Sequence, residues 1–197
     1  MRVGITGSYS SGKGTVCFMF QELGAVNIDT DEIAHEIVKP GKKAYNKILD
    51  AFGKDYFNSD LTLNRKLLAE LVFKDKKMLQ TLNNIMHPEI LNTVISLSQN
   101  KNIIYVINTP LLFETGFDKY MDYNVTVIAT DILSVKRGIE RDKLTEKEIK
   151  MRLKNQFSIN KKIELADYII DNRESLQKTN IQVIELWKIL NNLMNRK

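Results

Sequence analysis

The sequence predicts an α/β fold built on a five-stranded parallel sheet. Three observations carry this. A β-branched run, "RVGIT", leads through a glycine-bearing loop into an amphipathic stretch that stops at Gly24. The runs "NIIYVIN" and "YNVTVIAT" are almost continuously apolar, as strands covered on both faces are. Strand-like and helix-like segments alternate outside one helical block, and that alternation calls for parallel pairing with crossover helices.

The elements follow in order. After "RVGIT" and its helix, "AVNI" reads as a second strand ending at "DTD". "EIAHEIVKPG" reads as a helix closed by Pro40-Gly41. From residue 42 to about 100, "KKAYNKILDAFG", "LNRKLLAELVFK", "DKKMLQTLNNIM" and "HPEILNTVISLSQN" each carry an apolar stripe at i, i+3, i+4. Pro88 stands where a first-turn proline belongs, so a helix is expected to begin there. The third and fourth strands, "NIIYVIN" and "YNVTVIAT", come next. "DILSVKRGIERD" and "TEKEIKMRLKNQFS" are amphipathic and rich in Arg and Lys. "ADYIIDN" is the fifth strand, and "SLQKTNIQVIELWKILNNLMNRK" is a closing helix.

The composition sets limits. The 197 residues are 43% hydrophobic and 27% charged, enough for one buried core and ordinary for a globular domain. No apolar run approaches the roughly 18 residues that span a bilayer. The N-terminus lacks the apolar stretch of a signal peptide. The single cysteine, Cys17, permits no internal disulfide and falls on the first helix, where a packed thiol is expected. The chain is expected to be cytoplasmic. Its formal charge of +5 is spread out, and the aromatics do not interleave with the basic residues, so no nucleic-acid surface is expected. The sequence sets no oligomeric state.

The chemistry concentrates in three places. The first is "GSYSSGKGT", residues 7–15. Gly7, Gly12 and Gly14 let backbone amides approach an anion, and the helix that follows points its N-terminus at the same place. Ser10, Ser11, Gly12, Lys13, Gly14 and Thr15 are the candidate phosphate binders, with Lys13 as the point charge for the β- and γ-phosphates. The usual loop has a hydroxyl directly after the lysine to hold Mg²⁺. Here that position is Gly14, and the hydroxyl arrives at Thr15. Mg²⁺ keeps several waters, so it is expected to be held mainly through water and the ATP phosphates, near Asp29 and Thr15. A regulatory GTPase would need an N-K-x-D motif, and "NKKI" at 160–163 lacks the aspartate.

The second is "NIDTDEIAHEIV", which puts Asp29 and Asp31 at the carboxyl end of the second strand, where ligands sit in open α/β sheets. One carboxylate can take a proton from a substrate hydroxyl and the other can position metal-bound water. Asp31 is also a candidate helix cap. Arg65 is a candidate for a substrate phosphate. His87 is read from its local pattern as structural, and His35 as a packing or surface residue. The third place holds Arg137, Arg141 and Arg152 on consecutive amphipathic stretches, the first two at i, i+4. Such arginines stabilise charge on a transferring phosphoryl group or pair with neighbouring carboxylates.

Together, "GITGSYSSGKGTV", "VNIDTDEIAHEIVKPG", "LNRKLLAELVF", "IMHPEI", "PLLFETGFD", "IERD", "RLKNQ" and "ADYIIDN" resemble dephospho-CoA kinases nearly end to end. The resemblance implies a P-loop kinase with a core (1–41, 101–136 and 164–197), a helical acceptor-binding insertion (about 42–100) and a lid (about 137–163). It implies transfer of phosphate from ATP to the ribose 3′-hydroxyl of dephospho-CoA, with Asp31 as base and Asp29 beside it. It places Arg65, His87, Pro110, Leu111 and Glu114 on the acceptor side. Arg137, Arg141 and Arg152 become the lid arginines, and Asn172 an adenine contact. Three departures stand out: Gly14 replaces a serine, Asn108 stands where many members have aspartate, and Ser134 replaces a common glutamine. Two alternatives stay open, a kinase of another small acceptor such as a nucleoside or nucleotide, and a nucleotide-binding regulatory or nucleic-acid-associated protein.

Overall fold

A computed structural model describes residues 1–130 and 156–195. Five strands run through it: β1 (Arg2–Gly7), β2 (Val26–Asp29), β3 (Tyr105–Asn108), β4 (Tyr123–Ile128) and β5 (Tyr168–Asp171). All pair in parallel, in the order β2-β3-β1-β4-β5. The described helices are α1 (Lys13–Glu22), α2 (Thr30–Glu36), α3 (Lys43–Phe52), α4 (Arg65–Lys74), α5 (Lys76–Leu97), α6 (Ile159–Leu165) and α7 (Leu176–Met194). No described helix is long and apolar enough to cross a membrane.

The chain divides into two compact units. The first is Met1–Asp29 with Ser98–Lys197, and the second is Thr30–Leu97. In the first, β1 alternates its side chains between the two faces of the sheet. Val3 and Ile5 join Val16, Cys17 and Phe20 of α1 and Val183, Leu186 and Leu190 of α7 in one buried cluster. Gly4 and Thr6 take the opposite face. A Cβ on Gly4 would lie 2.8 Å from Leu112, so the missing side chain is what admits the segment after β3. Ser158 and Ser175 cap α6 and α7, each side chain accepting from a backbone N–H three residues on.

The second unit has its own core of Val38, Ala44, Ile48, Leu68 and Val72. Asn64 caps α4 by accepting from the Leu67 N–H at 3.1 Å. Glu89 of α5 binds Lys47 at 2.8 Å and Lys43 at 3.3 Å, both on α3.

Four expectations differ from this structure. Pro88 does not begin a helix but lies inside α5. Ile90 and Val94 are buried and Glu89 is held by α3, so packing keeps the helix continuous across a missing N–H. The helical unit begins at Thr30, not at 42, because α2 packs with α5. The helix expected through "NQFS" does not include Gln156–Ser158, and α6 forms beyond it. Residues 159–163, expected to belong to the lid, lie in α6, where Lys162 is fully buried.

Candidate active site

The phosphate loop grows from the end of β1. Gly7 is required there by close approach: a Cβ would stand 2.3 Å from the Val127 carbonyl oxygen of β4 and 2.6 Å from Ser11 Oγ. Gly12 caps α1 in the left-handed region, with φ 92°, and Ser10 also has positive φ, 56°. These two residues curl the loop. Lys13 folds back over it, Nζ donating to the Ser8 carbonyl at 3.0 Å and to the Gly7 carbonyl at 3.4 Å. Ser10 Oγ and Ser11 Oγ are buried and have no hydrogen-bond partner among the described residues. An unsatisfied buried hydroxyl costs about 1–3 kcal/mol. Two of them beside a lysine at a helix N-terminus form a donor set that fits a phosphate.

Gly14 and Thr15 are exposed in the first turn of α1. A Cβ on Gly14 would meet nothing within 4 Å, so the place of the usual hydroxyl is open space. Cys17, two residues on, is buried, and burial foremost pushes its thiol up to about 12. It stays protonated, as the packed thiol the sequence suggests.

Asn172 lies beneath the loop, only 2% exposed. Its Nδ2 donates to the Ser11 carbonyl at 2.8 Å, and its Oδ1 accepts from Thr179 Oγ1 of α7 at 3.0 Å. The side chain given an adenine contact by resemblance is thus engaged inside the protein at both ends, holding the loop to α7.

At the carboxyl edge of the sheet, Asp29 and Asn108 are register partners in β2 and β3. Asn108 Nδ2 donates to Asp29 Oδ2 at 2.7 Å. An amide here neutralises no charge but aims one carboxylate oxygen. Among the described residues no three His, Cys, Asp or Glu gather as a metal-ligand set. Pro110 and Leu111 follow in the half-buried turn after β3.

Glu114, within that turn, makes an ion pair not anticipated from the sequence. Its Oε1 lies 3.0 Å from Lys162 Nζ and accepts from the Phe157 N–H at 2.7 Å. Burial pulls the Lys162 ammonium below the ordinary lysine range, and Glu114 opposes that shift. A signal did exist: Ile159, Lys162 and Ile163 share the i, i+3, i+4 phase that turns toward a core.

In the second unit, Asp31 is exposed in the first turn of α2, where a carboxylate favours the helix dipole. It lies inside the helix, since α2 begins at Thr30. Arg65 opens α4 and donates from Nη2 to the Ala34 carbonyl at 3.3 Å, so it reaches the helix that carries Asp31. His87 is half-buried within α5, and burial lowers its pKa. Arg137, Arg141 and Arg152 lie outside the described residues.

The model of the dephospho-CoA kinase family matches residues 1–178. The chain belongs to that family. A dephospho-CoA kinase of Oceanobacillus iheyensis is 37% identical over 194 residues, which cover 95% of this chain and 98% of the relative. That of Aquifex aeolicus is 33% identical over 191 residues, 96% of this chain and 97% of the relative. The solved dephospho-CoA kinase from Campylobacter jejuni superposes with a TM-score of 0.71 at 29% identity, over 96% of each chain. Shikimate kinase from Aquifex aeolicus shares the fold, with a TM-score of 0.53 at 17% identity over 95% of this chain and 96% of that one. The protein is therefore a kinase of the P-loop fold.

Proposed function

We propose that this chain transfers the γ-phosphate of ATP to the ribose 3′-hydroxyl of dephospho-CoA, giving CoA and ADP, the final step of CoA synthesis. The observation that carries this reading is the family match across residues 1–178, which takes in the phosphate loop, Asp29, Asp31, the Pro110–Glu114 turn and Asn172. Lys13 and the loop Ser10–Thr15 bind the ATP phosphates, with the two buried hydroxyls donating to phosphate oxygens. Asp31 takes the proton of the 3′-hydroxyl as the new O–P bond forms and the bond to the ADP leaving group breaks. Arg137, Arg141 and Arg152 offset charge on the transferring group. Arg65, His87, Pro110, Leu111 and Glu114 take the acceptor, and Asn172 serves ATP by holding the loop. Mg²⁺, when bound, neutralises charge across the β- and γ-phosphates. The aimed carboxylate of Asp29 and the open space at Gly14 suit an ion reached mainly through water, with Thr15 nearby. ATP and dephospho-CoA are the partners, in the cytoplasm; neither nucleic acid nor a membrane is involved.

The test is ADP release with dephospho-CoA, AMP, CMP and uridine as acceptors. Turnover is expected with dephospho-CoA, and its absence there would refute the reading. Asp31→Asn is expected to lower kcat on the order of 10²–10⁴-fold with ATP binding retained. A near-normal kcat would remove Asp31 as the base.

A further inference from the structure

Lys162 is the most completely buried cation among the described residues, with 0% exposure. An ammonium has three N–H donors. Here they meet three acceptors: the Pro110 carbonyl at 2.6 Å, Glu114 Oε1 at 3.0 Å and Thr6 Oγ1 at 3.2 Å. Thr6 itself donates to the Pro110 carbonyl at 3.1 Å, closing the network. On the backbone side, Thr126 Oγ1 of β4 donates to the Lys162 carbonyl at 3.1 Å. One residue thus joins the end of β1, the turn after β3, the middle of β4 and α6. Thr6 immediately precedes Gly7, where the phosphate loop begins. With all its donors spent on protein, Lys162 has none for a ligand.

A buried ion pair is a poor way to gain stability, because desolvation offsets the attraction. What such a network supplies is fixed geometry, since each donor direction is specified. We infer that Lys162 is a positioning residue: paired with Glu114, it locks the root of the phosphate loop to the Pro110–Glu114 turn. The inference rests on the proposed role of that loop in binding ATP.

The experiment separates positioning from stability. Lys162→Met leaves the Glu114 carboxylate buried without its cation, so its Tm should fall. Lys162→Met/Glu114→Gln removes the stranded charge, keeps an acceptor for Phe157, and should regain at least half of the lost Tm. In both variants, amide exchange across residues 7–14 of the ligand-free protein is expected to rise about 10-fold or more, because the loop root has lost its tether. ATP affinity is expected to fall about 5- to 30-fold in both. Thr6→Val, which keeps the Lys162–Glu114 pair but leaves one Lys162 donor unpaired, should weaken ATP binding by about 2- to 5-fold and lower Tm less than Lys162→Met does.

Loop exchange and ATP affinity that recover together with Tm in the double variant would make the pair merely structural and overturn the inference. Unchanged ATP binding in Thr6→Val would overturn the route through Thr6. If the unaltered protein failed to bind ATP, the proposed function would fall, while the exchange measurement would still decide the role of Lys162.

Discussion

Replacing Gly14 with serine restores a hydroxyl at the position directly after the phosphate-loop lysine. The structure sets what this should do. Gly14 is the second residue of α1, and a Cβ there meets nothing within 4 Å. Its backbone lies outside the left-handed region that only glycine tolerates well, unlike that of Gly7 and Gly12. Serine therefore enters without strain, and the helix gains the difference in propensity between the two residues, about 0.5 kcal/mol. For a chain of this size that raises Tm by roughly 1–2 °C. The new hydroxyl can also replace one water of a hydrated Mg²⁺. A single such contact contributes about 0.5–1.4 kcal/mol, so half-saturation should move to roughly 2- to 10-fold lower Mg²⁺. Thermal unfolding without ligands reads the first effect. ADP release against Mg²⁺ at fixed ATP reads the second. A fall in Tm would refute the open space. A raised Tm with unchanged Mg²⁺ dependence would show that the ion does not come near position 14.

Three further outcomes follow from named contacts. Gly7→Ala drives a Cβ to 2.3 Å from a backbone oxygen of β4, which a side-chain rotation cannot relieve; a loss of at least about 2–3 kcal/mol is expected in urea unfolding. Asn108→Asp sets a second carboxylate against Asp29, where the amide now donates at 2.7 Å; one of the pair should hold its proton, moving the acidic limb of the pH–rate profile up by about 1 unit or more. His87 is lowered by burial, so the unfolded chain binds its proton more readily; stability from this group is full above the ordinary histidine range and is lost as pH falls toward the folded value. His87→Gln should therefore flatten the decline of Tm between pH 7.5 and 5, and an unaltered slope would refute that assignment.

The parts of this molecule that were legible in the sequence are those whose cause is local. "RVGITGSYSSGKGT" announces strand, loop and helix because alternation, glycine and the following amphipathic stretch all act within a few residues. The five strands follow from their own apolar runs. Pro88 misled because its local preference was outvoted from a distance: Lys43 and Lys47 hold Glu89, and Ile90 and Val94 are buried beyond it. Long-range contacts are what a local pattern cannot weigh.

The same division runs through the candidate site. Lys13 could be found from spacing alone, whereas Lys161 and Lys162 are adjacent identical letters with opposite fates. Lys161 is exposed and pairs with Glu164 one turn on, while Lys162 is buried against residues 156 and 52 positions away in the chain. Asn172 behaves alike, reaching Ser11 across 161 positions. Residues that would touch substrate can be recognised by their chemistry, since a carboxylate or a loop lysine must suit its ligand wherever it occurs. Residues that hold those groups in place are chosen by the fold. Lys162 and Asn172 both hold the phosphate loop, one through Thr6 at its root and one at Ser11. A loop whose amides must meet a phosphate needs its backbone fixed at more than one point, and these two side chains supply that from outside the motif itself.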